Sequence, residues 1–484
     1  MNYNLIEEKW IPVLWTNGKV SRVGIKDALT QAGNIRQIAA SNPMDRFAIF
    51  RFLLATLYWC KGNPSEEILH DLTDSSFPAS WFAKMDAEKE CFNLFGETKR
   101  FYQFLNPGKE GLEKLSINYL IHEIPTGSNK WHFRHSTDHI DGLCPACCAM
   151  GLLRLPLFAT SGGRGKPPAI NAKPPIYVAP MGFSLASTLR FSWQETSKLG
   201  TPFWENPTGV SKFLGEVPFL VGLTWLPRQI WLDQPEGFES KCISCGRQEH
   251  LIKQCIFAGI GSTKTVETSQ EKKWTDPHVL YVKTNKGDGS ESLHASNALG
   301  ANDAAAGQWT KILSGIIQKR EILGRARNVW VVGFSTVQND KYLEAKEFFI
   351  PTSNAENLFS DILEKIGKWQ KEYLKVINKS NPKKEDTAKK RKHSEIPATI
   401  AAIRPHVENQ VSAKIDELLT GDENAWEQAA KEYSPLMGAV AKSLAPGFTS
   451  GAVQRQRQIA IVKPDMREKA VAENKPAKKK GDEQ

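Results

Sequence analysis

Two cysteine pairs are the residues of this sequence whose type and spacing most directly suggest chemistry. Cys144 and Cys147 are separated by two residues, and Cys242 and Cys245 repeat that spacing immediately before Gly246. Thiolates from two such turns complete a tetrahedral zinc site, and four sulfur ligands leave no coordination position open for water. The spacing therefore predicts a structural Zn²⁺ ion rather than a catalytic one.

Other interpretations of the cysteines remain open from spacing alone. The stretch between the two pairs is far longer than a zinc ribbon usually has, so the metal would hold two distant parts of one domain together. Two unrelated pairs or a redox dithiol are the alternatives. Cys148 and Cys255 lie near the pairs in the sequence and could substitute as ligands, whereas Cys60 and Cys91 are interpreted as core residues.

Length and composition set the class of protein. A chain of 484 residues exceeds one ordinary core, so two folded units with flexible ends are expected. A net charge of +10 suits a polyanionic partner. The N-terminus lacks the basic and apolar regions of a secretory signal, and the most apolar stretch, 47–60, is interrupted by Arg51 and too short to cross a bilayer. A cytoplasmic protein without a membrane partner is expected.

The elements around the cysteines are those of a mixed α/β domain. Asn4 to Val20 predicts two strands joined by a turn at Asn17-Gly18. Asn42 and Pro43 predict the start of a helix with a buried apolar face that ends near Gly62.

Farther along, 176–178 predicts a strand, and 329–334 with 348–350 predict a buried strand, an exposed tip and a returning strand. After Pro351, apolar residues recur at helical spacing in four segments. The sequence therefore predicts an α+β protein: a large mixed α/β domain with the zinc site at 1–352, a C-terminal four-helix bundle at 353–470, and a disordered basic tail at 471–484.

Several landmarks, taken in order, resemble the CasA large subunit of the type I-E CRISPR Cascade. They are Asn4-Leu5 followed by Trp10-Ile11-Pro12-Val13, the first cysteine pair followed by a glycine-rich stretch, Lys241 before the second pair, and Gly333-Phe334 followed by Gln338. Each landmark is weak alone, but their order and spacing make a specific match. The resemblance covers nearly the whole chain and is strongest over 1–350.

The resemblance implies a function without catalysis by this chain. Such a subunit recognises the protospacer-adjacent motif in double-stranded DNA, helps to unwind the duplex and form the R-loop, and stabilises the displaced strand. Guide RNA pairing reads the sequence, as in other RNA-guided systems. The implied partners are guide RNA, the other Cascade subunits, double-stranded target DNA, and a helicase-nuclease recruited in trans for antiviral defence.

The resemblance also implies three sets of site residues. Backbone close to the minor groove and a lysine that probes it would recognise the DNA motif: Gly162, Gly163, Gly165 and Lys264. A wedge would separate the strands: Gln338 and Asn339. Side chains of a long loop would contact the guide-RNA handle, with an aromatic ring stacking on a base: Asn129, Trp131 and Phe133.

Two other functions compete with this one. A zinc-dependent nuclease or deaminase is suggested by His132, His135 and His139, but no His-x-Glu accompanies a Pro-Cys-x-x-Cys pair, which disfavours it. A zinc-stabilised single-stranded nucleic-acid-binding protein outside CRISPR systems is the stronger alternative.

Overall fold

A computed structural model describes residues 2–65, 67–68, 73–105, 112–121, 142–159, 169–171, 176–207, 216–259, 274, 276–280, 326, 328–337 and 341–351. The chain divides into two compact units, Met1–Glu356 and Asn357–Gln484. All described residues belong to the first unit. The predicted helical bundle at 353–470 and the predicted tail at 471–484 lie outside them and stay predictions, as does the boundary at 352.

The described residues form the mixed α/β fold that the sequence predicts. The helices are α1 (Ile25–Thr30), α2 (Pro43–Lys61), α3 (Ala83–Ala87), α4 (Pro145–Phe158), α5 (Leu185–Ser192) and α6 (Phe219–Thr224). The strands are β1 (Ile11–Trp15), β2 (Val20–Val23), β3 (Ile35–Ile38), β4 (Lys114–Ser116), β5 (Ile176–Met181), β6 (Arg228–Leu232), β7 (Glu236–Lys241), β8 (Gln248–Leu251), β9 (Gln254–Gly259), β10 (Val279–Leu280), β11 (Asn328–Val337) and β12 (Lys341–Pro351).

The N-terminal hairpin is confirmed, with later strand boundaries than expected. β1 pairs antiparallel with β2 and with β3 in a sheet of order β2-β1-β3, and Gly18 takes the positive φ of +84° that its turn needs. The first strand does not begin near Asn4, because the Asn4 side chain accepts a hydrogen bond from the Ile6 amide at 3.0 Å and forms a turn there.

Helix α2 is the centre of the core, as its sequence predicts. The Asn42 side chain accepts a hydrogen bond from the Met44 amide at 2.8 Å, Pro43 occupies the first turn, and Gly62 (φ +84°) follows the last turn. Apolar residues occupy nearly every face of α2, so helices α4, α5 and α6 and strand β11 pack around it. In the described part of the chain, no helix is long and apolar enough to cross a membrane.

Three further sheets surround this helix. Their strand orders are β10-β5-β11-β12, β4-β9-β6 and β7-β8, and all pairs are antiparallel. The strand predicted at 176–178 is β5. The predicted strand and return are β11 and β12, which pair from Asn328–Pro351 to Val337–Lys341 with one shift of register between Ser335 and Thr336.

Helix α2 also carries charged side chains that pair inside the core. Arg154 on α4 binds Asp45, with Nη2 to Oδ2 at 2.7 Å, and both side chains are almost fully buried. Arg51 binds Asp276 through two hydrogen bonds of 2.6 and 2.7 Å. A buried charge is tolerated when it is paired and hydrogen-bonded, and loss of one partner leaves the other uncompensated.

His278 completes the network around Arg51. Arg51 Nη1 lies 2.7 Å from His278 Nδ1, which therefore accepts, and the His278 amide donates to Asp276 at 2.8 Å. Burial, reinforced by the charge of Arg51, lowers the pKa of His278 to about 3, so the ring is neutral. Burial alone would raise the pKa of Asp276, but Arg51 holds it below its ordinary value.

This network predicts a loss of stability in acid. The unfolded chain protonates His278 near pH 6.5, whereas the folded chain resists protonation down to about pH 3. Between these values the unfolded state binds the extra proton, so the free energy of unfolding decreases as pH falls, by up to about 1.4 kcal/mol per pH unit. His278→Gln keeps an acceptor for Arg51 and removes this titration. Thermal unfolding from pH 7 to pH 4 should show a weaker pH dependence in the variant; equal slopes would contradict the assignment.

Candidate metal centre

The four predicted cysteines meet in one cluster. The Sγ atoms of Cys144, Cys147, Cys242 and Cys245 all lie within 4.8 Å of one another. The Cys144 and Cys245 sulfurs are 3.7 Å apart although the residues are 101 positions apart in the sequence. Zinc–sulfur bonds of about 2.3 Å in a tetrahedron put the sulfurs roughly 3.8 Å apart. The arrangement therefore fits a tetrahedral metal ion, and two unrelated pairs are excluded.

The first pair is presented by the start of helix α4. Cys144 is the N-cap, Pro145 occupies the first turn, and the Cys148 amide donates to the Cys144 carbonyl at 3.0 Å, so Cys147 lies one turn along. Directly before the helix, Leu143 and Ile252 exchange two backbone hydrogen bonds of 2.9 and 2.8 Å. The segment that enters α4 is thereby fixed against the end of β8.

The second pair lies at the turn of the β7–β8 ribbon. Two backbone hydrogen bonds of 2.8 Å close this turn, from the Cys242 amide to the Arg247 carbonyl and from the Gly246 amide to the Cys242 carbonyl. Gly246 has a φ of +74°, which explains the glycine after the second cysteine of the pair. Both faces of the ribbon are largely exposed, and Phe238 on β7 is 94% exposed.

Hydrogen bonds between the thiols polarise the cluster. Bonds from Cys144 and then Cys147 lower the pKa of Cys242 to about 6, and the same two groups lower the pKa of Cys245. The pKa of Cys147 is raised because its thiol shares hydrogen bonds with Cys144 and the other two sulfurs. The Cys144 amide also lies 3.3 Å from the Cys242 sulfur, a contact that favours the thiolate form. Thiolates are the species that bind metal.

Arg22 on β2 lies beside the sulfurs of Cys245, Cys147 and Cys144, a contact that the sequence did not indicate. Burial would lower the pKa of its guanidinium, but the hydrogen bond and charge of Cys245, with Cys147 and Cys144, raise it. Its buried Nη1 has no oxygen or nitrogen acceptor among the described residues. A divalent ion with four thiolates carries a net charge of about −2, and a guanidinium beside it offsets part of that charge. Its position therefore fits a metallated cluster.

The remaining cysteines do not join the cluster. Cys148 and Cys255, named as possible substitutes, are buried, and burial raises the pKa of each thiol. Cys91 is buried as expected for a core residue, whereas Cys60 is half-buried at the edge of the core. Within the described ranges, no other group of three or more His, Cys, Asp or Glu side chains lies close enough to share an ion.

The other predicted site residues lie outside the described residues. They are Gly162, Gly163, Gly165, Lys264, Gln338, Asn339, Asn129, Trp131 and Phe133, together with His132, His135 and His139. Their roles stay predictions, although the described structure gives the residues that flank them.

The architecture is shared with known structures along nearly the entire chain. A crystal structure of CasA from Thermus thermophilus matches with a TM-score of 0.67 at 18% identity, covering 96% of this chain and 99% of that one. Cse1 from Acidimicrobium ferrooxidans matches with a TM-score of 0.65 at 17% identity (96% and 98% covered), and a chain of a CRISPR RNA-guided surveillance complex with 0.59 at 14% (95% and 93%). At these identities the likeness defines the fold, which is that of the CasA proteins.

Sequence comparison then gives the family. The family model of the CRISPR-associated protein Cse1 matches residues 4–434, and the chain belongs to this family. The CRISPR-associated protein CasA/Cse1 of Thermus thermophilus is 30% identical over 215 residues, and this alignment spans 42% of the length of each chain.

The cluster predicts a metal requirement for stability. Cys245→Ser should remove most of the bound metal, because it takes one of four ligands, and should lower the unfolding midpoint by at least ~10 °C, since such sites supply on the order of 10 kcal/mol. Cys148→Ala is the control, because this cysteine is buried nearby but lies outside the cluster. Elemental analysis and calorimetry measure both quantities. Full metal retention by Cys245→Ser, or equal loss in the control, would contradict the assignment.

Proposed function

We propose that this chain is the large subunit of a type I-E Cascade. It recognises the protospacer-adjacent motif in double-stranded DNA, helps to unwind the duplex and form the R-loop, stabilises the displaced strand, and recruits a separate helicase-nuclease in antiviral defence. The family match over residues 4–434 carries this proposal. The similar chain from an RNA-guided surveillance complex supports guide RNA and other Cascade subunits as partners.

In this proposal the bound metal is Zn²⁺ and its role is structural. Four thiolates complete its coordination shell, so no water is bound for activation, unlike the open sites of zinc hydrolases. The chain supplies binding and position and is not itself an enzyme. Cleavage is left to the recruited helicase-nuclease.

Two segments read the DNA motif. The glycine segment (160–168), with Gly162, Gly163 and Gly165, follows helix α4. The lysine segment (260–273), with Lys264, follows β9. The core holds the glycine segment where it begins and returns, because the Ala169 amide donates to the Ala159 carbonyl at 2.7 Å. It holds the start of the lysine segment, because the Gln229 side chain donates to the Gly259 carbonyl at 2.7 Å. The minor groove offers a degenerate pattern of hydrogen-bonding groups, so the proposal implies permissive recognition.

The β11–β12 ribbon supports a wedge at Gln338 and Asn339, which lie in the short connection between its strands. Glu347 on β12 accepts a hydrogen bond from Trp330 Nε1 at 3.0 Å and forms an ion pair with Arg46 on α2. Between Glu347 and Lys341 the strand extends about 20 Å. A wedge on this ribbon therefore has a fixed base in the core, which it needs in order to push base pairs apart.

The metal centre supports the guide-RNA contact. The segment with Asn129, Trp131 and Phe133 returns to the described structure at Gly142, two residues before the first proposed metal ligand, Cys144. Gly142 has a φ of +101°, and a Cβ atom there would lie 2.5 Å from the Ile252 carbonyl oxygen. The end of this segment is therefore held closely against the metal-bound ribbon.

The wedge proposal predicts a selective defect in strand opening. In the assembled complex, Gln338→Gly with Asn339→Gly should slow opening about tenfold or more, because the wedge offsets a few kcal/mol of unstacking, while initial duplex binding changes little. Fluorescence of 2-aminopurine beside the motif reports opening, and gel shift reports binding. The exposed Gln234→Gly is the control. Equal losses of binding and opening would rule out a wedge at these residues.

The motif-reading proposal predicts a defect that depends on sequence. Lys264→Ala should weaken binding of motif-bearing duplex about tenfold at physiological salt, the usual size of one lost groove contact, and should leave a scrambled duplex unaffected. Lys253→Ala, an exposed lysine on the described surface, is the control. An equal loss of affinity for both duplexes would show that Lys264 contacts the DNA phosphate backbone and does not read the motif. Binding by the wild-type chain that ignores the motif and needs no guide complex would favour the single-strand-binding alternative.

A further inference from the structure

Asn171 joins the ends of two segments that are far apart in the sequence. The glycine segment returns to the described structure at Ala169, two residues before Asn171. The lysine segment returns at Trp274, whose Nε1 donates to Asn171 Oδ1 at 3.0 Å. Asn171 Nδ2 donates to Asp276 Oδ2 at 2.8 Å. Both polar atoms of one side chain are thus committed to residues just after the lysine segment.

Asn171 and Asp276 are also hydrogen-bonded to residues of the core. Asp276 receives two hydrogen bonds from the buried Arg51 on α2, and Asn171 Nδ2 also donates to the Tyr177 hydroxyl at 3.0 Å. The Tyr177 hydroxyl in turn donates to the Leu157 carbonyl at 3.0 Å, in the last turn of α4 before the glycine segment. A continuous set of hydrogen bonds therefore connects α2, α4 and the ends of both segments.

The indole of Trp274 is positioned by close packing as well as by its hydrogen bond to Asn171. It packs against Phe219 with ring centroids 6.2 Å apart, and its six-membered ring lies over Gly222 of α6. A Cβ atom at Gly222 would come within 2.3 Å of that ring. Only glycine allows the indole to reach this position, from which it donates to Asn171.

We propose that Asn171 is a positioning residue that couples the glycine and lysine segments, so that the two are presented to duplex DNA as one unit. The inference rests on the proposed function for its consequence, but the coupling itself is a property of the described contacts. An asparagine suits this position because it donates to a carboxylate and accepts from an indole with the same side chain. Leucine or alanine would satisfy neither group.

The coupling is tested first without DNA. In the purified full chain, Asn171→Ala should increase hydrogen exchange of backbone amides in both segments, about tenfold, as expected for loss of a hydrogen bond to a charged group. Gly222→Ala displaces Trp274 without touching Asn171 and should produce the same paired increase, although alanine is the better helix former. Asn93→Ala is the matched control, because Asn93 is also half-buried with three side-chain hydrogen bonds, to Tyr3, Phe95 and Asn2.

The consequence is tested in the assembled complex with the same variants. Asn171→Ala should lower affinity for motif-bearing duplex about tenfold and spare the scrambled duplex. An increase of exchange confined to the glycine segment, or equalled by Asn93→Ala, would overturn the coupling. If both segments loosen and motif binding is retained while Lys264→Ala loses it, the positioning role is wrong and the motif-reading proposal stands. If exchange increases in both segments and neither Asn171→Ala nor Lys264→Ala affects motif binding, both the positioning role and the motif-reading proposal are wrong.

Discussion

Three charged side chains on helix α2 bind three parts of the chain that are remote in sequence. Asp45 holds Arg154 on α4, Arg46 holds Glu347 on β12, and Arg51 holds Asp276 ahead of β10. Apolar contacts alone would tolerate small rotations of these elements about α2, because dispersion and burial have no preferred direction. Paired charges fix the direction, since a buried charge that leaves its partner is strongly unfavourable. The orientation of α4, of the β11–β12 ribbon and of the chain around Asp276 therefore depends on one helix.

Helix α4 connects this core to the metal centre. Its N-cap is Cys144, one of the four clustered cysteines, and its C-terminal end leads into the glycine segment. A helix of 14 residues spans about 21 Å. In the proposed complex the guide-RNA segment and the glycine segment that reads duplex DNA thus adjoin the two ends of one helix. A structural ion at one end can influence DNA recognition through this helix, without contacting nucleic acid.

The features that could be predicted from the sequence are those that short stretches of sequence encode. Asn42-Pro43 and Gly62 marked α2, Asn17-Gly18 marked the first turn, and the repeated Cys-x-x-Cys spacing marked the cluster, because each is a short-range requirement of geometry. Contacts between residues that are distant in the sequence have no such signal. No residue near Arg51 indicates its ion pair with Asp276, and none near Arg22 indicates its contact with the cysteines. Asn171 in particular reads as an ordinary loop residue until its three partners are brought together by folding. The assignments of Gly162, Lys264 and Gln338 came from resemblance, and their geometry belongs to residues beyond those described.

The β7–β8 ribbon has a consequence for the free protein. A two-stranded ribbon with both faces in water has little stability of its own, and Phe238 presents almost its entire ring to solvent. An isolated chain without the proposed metal would expose loose strand edges beside this aromatic ring, the combination that promotes intermolecular β-pairing. Aggregation of the isolated chain during purification and storage should therefore depend more on chelators in the buffer than on salt concentration.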